Sequence, residues 1–385
     1  MSHKAAPESG SVTSLGQRLL APGDGLRQWW SRLSRPMKWI FGVIGFTLLA
    51  LLPLYTPGFI DTPGISFGGT MAAFVMVAII AIGLNVVVGQ AGLLDLGYVG
   101  FYAIGAYSVA LFGSPDSPVT KWISNQFHLS EGWSVAWAIC VPIAIALTMI
   151  SGVILGAPTL RLRGDYLAIV TMGFGEIIRI VARNSKFTGA SNGVTNIPRP
   201  PGPVDADGRP FFNVLDIERW YWLALVFLII FVFAVRRLER SRVGRSWMAI
   251  REDEDAAAVM GVPAFKFKLW AFAIGAMLGG ISGLLFASRQ GSIDPGSFQL
   301  NLSFLFVAMV VIGGSGNMLG VVVGAILLTY LPEKFRFFAE WRPWSFGVAL
   351  VVVMVLRPQG LIPSSRRAKE LEDRQHEAEE TAVSG

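Results

Sequence analysis

Hydrophobic positions along the 385-residue chain gather into long runs separated by short polar connections, and the runs recur from Trp39 to Leu356. A hydrocarbon core about 30 Å thick needs ~20 helical residues to cross it. Repeated runs of that length predict an all-α polytopic membrane protein. Ten spans are expected, at 39–55, 70–88, 97–113, 134–157, 166–182, 219–235, 268–288, 302–314, 318–332 and 344–357. Several are short and interrupted by glycine. That pattern fits helices that break inside a transporter, where irregular backbone is tolerated only if it lines a cavity or is buried in protein.

The polar connections carry the orientation. If both termini are cytoplasmic, the inner connections hold twenty-one Lys and Arg residues and the outer ones ten. This excess predicts cytoplasmic termini. The chain then divides into an N-terminal cytoplasmic segment, 1–38, a transmembrane domain, 39–357, and a charged cytoplasmic tail, 358–385. Residues 1–38 are long and polar before the first apolar run, so the run from Trp39 reads as a retained anchor and not as a cleaved signal. The outer connection 183–218 is rich in Pro, Gly and Asn without helical periodicity, which predicts an ordered or partly ordered loop. The tail mixes charges of both signs without an apolar face and reads as solvated.

Composition agrees and narrows the chemistry. Hydrophobic residues make up 53% of the chain and charged residues 15%, unlike an ordinary soluble domain. The net charge of +6 does not indicate nucleic acid, because the basic residues sit in connections and tails. The single cysteine, Cys140, lies in an apolar run, which excludes a disulfide framework within the chain. His3, His128 and His376 fall in unrelated connections, so no metal site is expected, and no catalytic nucleophile and base pair is evident. There is no phosphate-binding G-x-x-x-x-G-K-[ST] loop. "GGSGNMLG" at 313 lacks the lysine and lies between apolar segments, so it is not a nucleotide site.

Within the apolar run "VVVGQAGLLDLGYVGFYAIGAY", residues 86–107, stands one carboxylate, Asp95. A buried carboxylate is costly unless partnered or wet. Gly89 and Gly92 precede it and break the second span; Gly97, Gly100, Ala103 and Ala106 follow at intervals of three, a stripe that admits a neighbouring helix. Asp95 therefore reads as the cap of a half-helix, its carboxylate taking free backbone N–H groups. Contact with a substrate ammonium is the alternative. On the fifth span Glu176 and Arg179 are three residues apart and share a helix face, where they can pair. They read as a structural lock, or else as part of a translocation pathway. A faint internal echo links 86–106 with 309–327, each an apolar run, a Gly-rich break and a small-residue helix, which points to a site at a repeat interface.

The connection 236–268 is the largest inner one and carries eight basic residues beside the acidic cluster Glu252 to Asp255. Trp247, Ile250 and Met260 would line one side of a short helix ending near Gly261, with Pro263 as a stop. Such a helix suits docking into a groove on a cytoplasmic partner. The run Asp255, Ala256, Ala257, three residues, Gly261 resembles the "EAA, three residues, Gly" pattern of ABC importer permeases, with Asp in place of Glu and without the Pro-containing continuation.

A wider set of blocks is similar to the M-type permease (LivM) family of branched-chain amino acid ABC importers. They are "GLNVVVGQAGLLDLGYVGFYAIGAY" at 83, "LRLRGDYLAIVTMGFGEIIRI" at 160, "GRSWMAIREDEDAAAVMGV" at 244, "FASRQGSIDPGSF" at 286, "VVIGGSGNMLGVVVGA" at 310 and "RPQGLIP" at 357. They cover most of residues 70–363. The resemblance implies a multi-pass permease subunit in the bacterial plasma membrane, importing leucine, isoleucine or valine. It implies a homologous H-type permease, two ABC ATPase subunits that hold the ATP and magnesium, and an extracytoplasmic binding protein as partners. It also makes the inner loop the coupling element, through Gly244, Arg245, Arg251, Glu252, Asp255, Ala256, Ala257 and Gly261. A urea or short-chain amide permease of the same architecture is the alternative within the class, and a stand-alone ion-coupled transporter or channel the alternative outside it.

Overall fold

The computed structural model describes residues 67–334, except 129, 131–132, 163–164, 204–209 and 214–215, together with positions 37, 51, 53, 347, 348, 351 and 360–362. By internal contacts the chain divides into Met1–Thr56 and Pro57–Gly385. Three positions of the first unit are described, and the helical bundle belongs to the second. The expected segment 1–38, the spans 39–55 and 344–357, and the tail 358–385 lie outside the described residues apart from those few positions.

Among the described residues the regular elements are helical, and strand-like pairing is confined to one bridge between Val194 and Ile293. That follows from the apolar runs: a backbone without water must satisfy its own N–H and C=O groups, and a helix does so within one segment. The helices are α1 (Phe67–Leu84), α2 (Val99–Gly113), α3 (Pro118–Phe127), α4 (Trp137–Thr159), α5 (Asp165–Asn184), α6 (Ile217–Glu239), α7 (Arg242–Glu252), α8 (Glu254–Val259), α9 (Ala264–Gln290), α10 (Leu300–Gly313) and α11 (Met318–Lys334). Each of the eight spans expected between 70 and 332 coincides with one of these helices. Four stretches are long and apolar enough to cross a bilayer among the described residues, namely Gly69–Gln90, Trp137–Thr159, Glu218–Glu239 and Ala264–Gln290; α10 and part of α11 form shorter apolar helices. α3 lies outside the expected spans. It starts at a Ser-Pro pair, where the Ser117 hydroxyl accepts from the Thr120 N–H at 3.1 Å and Pro118 presets the first turn.

α9 is the centre of the bundle, packed most extensively against α2 and α4 and also against α1. Its sequence "IGAMLGGISG" makes this possible, because small residues let membrane helices come close. A β-carbon on Gly105 of α2 would stand 1.9 Å from the Gly280 carbonyl oxygen. The closest approach to α9 thus comes from Gly105, while Gly97 and Gly100 of the expected stripe pack on Thr171 and Phe174 of α5. Polar bonds pin the same helices: the Tyr98 hydroxyl donates to the Gly275 carbonyl at 2.6 Å and the Ser282 hydroxyl to the Met76 carbonyl at 2.8 Å. α4 and α6, by contrast, present Ile139, Ile154, Val226 and Phe233 outward. In a bilayer such faces meet lipid or a partner helix.

The inner loop departs from the single helix expected of it. It folds as two, α7 and α8, because Asp253 adopts an extended backbone and its Oδ1 accepts from the Ala256 N–H at 2.9 Å, restarting the helix. The three apolar residues expected on one side of that helix part company: Trp247 and Ile250 are buried within the chain, whereas Met260, beyond the kink, is 83% exposed.

Candidate functional site

The site is built where α1 loses its regular geometry. Over Asn85–Gln90 the helix widens into a π-helical turn, a form that recurs at functional positions. The turn places two amides within the bundle: Asn85 is fully buried and Gln90 nearly so. Asn85 Oδ1 accepts from the Gly316 N–H at 2.8 Å, in the turn between α10 and α11. Gln90 Nε2 donates to Glu239 Oε1 at 2.5 Å, at the last residue of α6. Arg251, in the last turn of α7, sends Nη1 to the carbonyl oxygen of Gly89.

The two glycine-rich breaks that the sequence echo pairs therefore touch. A β-carbon on Gly89 would lie 2.5 Å from the Gly316 nitrogen, and one on Gly316 would lie 3.0 Å from Arg251 Nη1. Gly92 has φ +72, and a β-carbon there would lie 2.9 Å from Arg251 Cγ. Arg251 thus sits at the meeting of both breaks, joined to the first by a charge-assisted hydrogen bond.

Asp95 follows in the extended stretch between the π-turn and α2. It is fully buried, and its Oδ1 accepts from the Gly97 N–H at 2.8 Å. This closes a turn ahead of the helix, which begins at Val99 and takes no cap from the Asp95 side chain. The free N–H groups around the start of α2 go to hydroxyls from other helices: Leu96 donates to Thr171 Oγ1 of α5 and Val99 to Ser303 Oγ of α10, each at 3.0 Å. Capping here is shared among three segments. Gly97 is fixed by contact, since a β-carbon on it would fall 1.7 Å from the Thr171 carbonyl oxygen.

Glu176 and Arg179 lie farther along α5. Arg179 Nε donates to both carboxylate oxygens, at 3.1 and 3.0 Å, and Nη2 also reaches Oε1. The pair is half-exposed, and neither residue bonds to the break cluster among the described residues.

The rest of the loop splits into anchoring and outward residues. Gly244 turns closely past α6, where a β-carbon would stand 2.4 Å from the Glu239 carbonyl. Arg245 donates to the Arg240 carbonyl at 3.2 Å. The Trp247 indole donates to the Phe267 carbonyl at 2.6 Å, and Lys268 pairs with Glu254 at 2.5 Å, so α7 and α8 are fastened to the start of α9. Ala257 is buried, Gly261 ends the helical stretch at φ +83, and Glu252, Asp255 and Ala256 face out beside the exposed Val259 and Met260.

Sequence reasoning misses Asn85, Gln90, Glu239, Thr171 and Ser303. Asn85 and Gln90 do carry a signal, as two amides framing "VVVG" in an apolar run. The hydroxyls carry none, because their partners are 75 and 204 residues away.

No group of three or more His, Cys, Asp or Glu side chains is arranged to hold a metal ion among the described residues. The arrangement fastens a polar loop, at one end of the bundle, to the backbone of a broken apolar helix. This geometry defines a helical bundle, with four stretches among the described residues long and apolar enough to cross a membrane and a loop tied to its interior. Residues 66–357 match the family described as the branched-chain amino acid transport system / permease component, and the chain belongs to that family. It is 39% identical, over 78% of its length and 71% of the relative's, to the high-affinity branched-chain amino acid transport system permease protein LivM of Salmonella typhimurium. To the protein of the same name from Escherichia coli it is 41% identical, over 75% of this chain and 68% of that one. A probable LivM permease of Methanocaldococcus jannaschii is 27% identical over 57% of this chain and 68% of its own. No solved structure matches. These relatives are permease components and not enzymes.

Proposed function

We propose that this chain is the transmembrane permease subunit of an ATP-driven importer that moves leucine, isoleucine and valine across the bacterial plasma membrane. The observation that carries the reading is the family match across 66–357, together with about two-fifths identity to two branched-chain amino acid permeases over most of both chains. The chain crosses the membrane ten times within 39–357 with both termini in the cytoplasm, an orientation supported by the excess of Lys and Arg in the connections of that side. On that topology the end holding α7 and α8 is cytoplasmic. A homologous H-type permease completes the membrane unit, two ABC ATPases bind ATP and magnesium below it, and a binding protein delivers substrate from outside.

In this reading the outward residues of the loop, Glu252, Asp255, Ala256, Val259 and Met260, meet the ATPase, and Arg251 carries its motion to the backbone at Gly89. Gly244 and Gly261 set the two ends of the element and Ala257 seats it. Asp95 and Gly97 hold the restart of α2, and the Glu176–Arg179 pair stiffens α5. Tight binding within the permease would slow release, so a pathway with a few polar groups and otherwise mild walls suits transport driven by ATP.

The test is uptake of radiolabelled leucine by vesicles holding this chain with its companion permease, ATPases and binding protein. Uptake that needs ATP and is competed by isoleucine and valine, with no competition by urea, is the expected result. Uptake against a gradient without the ATPases would overturn it.

A further inference from the structure

A cavity of about 470 Å³ lies between α1, α9, α10 and α11, toward the end of the bundle opposite α7. Its wall is mostly apolar, with Met76, Ile80, Leu305 and Met309 among the lining side chains. Into this wall is set one cation, Arg289, from the last turn of α9. Its Nη2 donates to the Gly69 carbonyl oxygen at a long 3.4 Å, and no carboxylate lies within ion-pair distance of it among the described residues. A guanidinium offers five N–H donors in a planar fork whose geometry matches a carboxylate. A single long bond to one carbonyl leaves most of that fork without a hydrogen bond among the described residues, and a cation so weakly held in a membrane bundle is costly.

The wall also holds hydroxyls from three helices, Tyr102, Ser282 and Thr329. Ser282 and Thr329 donate to backbone carbonyls at 2.8 and 2.7 Å, which leaves their oxygens as acceptors for an N–H donor. One cation with a single long hydrogen bond and no carboxylate partner among the described residues, acceptor hydroxyls and a branched apolar wall together describe a small zwitterion with an aliphatic side chain. The volume falls in the range of small-molecule sites, roughly 300–1,000 Å³.

We propose that this cavity is a substrate subsite within the chain, in which the Arg289 guanidinium binds the carboxylate of an aliphatic amino acid whose side chain lies against α1 and α10. The assignment rests on the reading of the chain as an amino-acid permease. It places the first contact after delivery inside one subunit, and it makes Arg289 a specificity residue that rejects neutral amides.

The experiment uses the complete transporter and a diazirine analogue of leucine that labels what it touches on illumination. In the wild-type complex, label is expected in peptides covering 67–84 and 300–313 and is removed by excess leucine. Arg289→Gln lowers that labelling and raises the KM for uptake by about ten-fold, the loss typical of a charged hydrogen bond. Arg289→Lys, which keeps the charge without the fork, falls between. Should Arg289→Gln fail to assemble, the wild-type labelling map and the lysine variant still decide. Label that leucine does not displace, label found only outside these helices, a lipid acyl chain recovered from the cavity, or an unchanged KM in either variant would overturn the subsite. The transport reading fails separately, if the wild-type complex takes up no branched-chain amino acid.

Discussion

The two glycine-rich breaks meet at one end of the bundle, yet they are held by different means. The second, Gly313–Asn317, is tied by the chain beyond it. Leu361 and Ile362 donate their N–H groups to the Ile312 and Gly313 carbonyls at 2.8 and 3.2 Å, and Asn317 Nδ2 donates to the Ile362 carbonyl at 3.1 Å. The first, from Asn85 to Gly97, is tied mainly by side chains arriving from elsewhere: Arg251 from the loop, Glu239 from α6, Thr171 from α5 and Ser303 from α10. Bonds to one returning segment, two of them backbone to backbone, make a frame. Side-chain bonds to four other segments can be exchanged one by one, and the proposed mechanism makes the first break the responsive one.

The comparison can be broken at its tightest point first. Gly97→Ala places a methyl group on the Thr171 backbone, which cannot swing aside as a side chain would. Overpacking of this kind costs about 3 kcal/mol or more, and the expected outcome is loss of the monodisperse peak in size-exclusion chromatography of the detergent-extracted protein. A yield equal to wild type would mean that α2 and α5 slide freely, contrary to a break fixed at that point.

The next effect separates charge from capping. Asp95→Asn keeps an oxygen for the Gly97 N–H and should retain uptake, whereas Asp95→Ala loses the bond, about 1 kcal/mol, and should lower thermal stability with uptake per folded molecule preserved. An Asn variant that assembles but does not transport would assign the charge itself to the pathway. Smaller still is Asn317→Ala in the second break. It removes the tie to Ile362, and the average worth of such bonds in membrane bundles, about 0.6 kcal/mol, predicts a slight fall in melting temperature and unchanged leucine uptake. A transport defect there would erase the distinction between frame and responsive break.

Much of this is legible in the sequence, for physical reasons that differ by element. Run length and hydropathy locate eight helices between 70 and 332 because the bilayer fixes how long an apolar helix must be. Asp95 announces the first break because a carboxylate is costly inside a continuous membrane helix, and Gly92 before it supplies the positive φ that the break needs. The loop is legible only to Ile250. Extending one periodicity through Asp253 places Met260 on one face with Trp247 and Ile250, whereas the carboxylate of Asp253 starts a new helix and changes the phase. Arg251 is marked as part of the loop, but its partner, 162 residues away, cannot be read from any local pattern. The same holds for Arg289, whose setting is made by α1 and α10.

The central claim is that α7 passes motion from the ATPase-facing loop to the first break through Arg251. It is tested most directly by the ratio of leucine molecules imported to ATP hydrolysed in proteoliposomes carrying the complete transporter, with wild-type chain and with Arg251→Ala. The account predicts that Arg251→Ala complexes assemble and hydrolyse ATP while importing at least about ten-fold less leucine per ATP, the loss of a charge-assisted bond. An unchanged ratio in assembled Arg251→Ala complexes would contradict it.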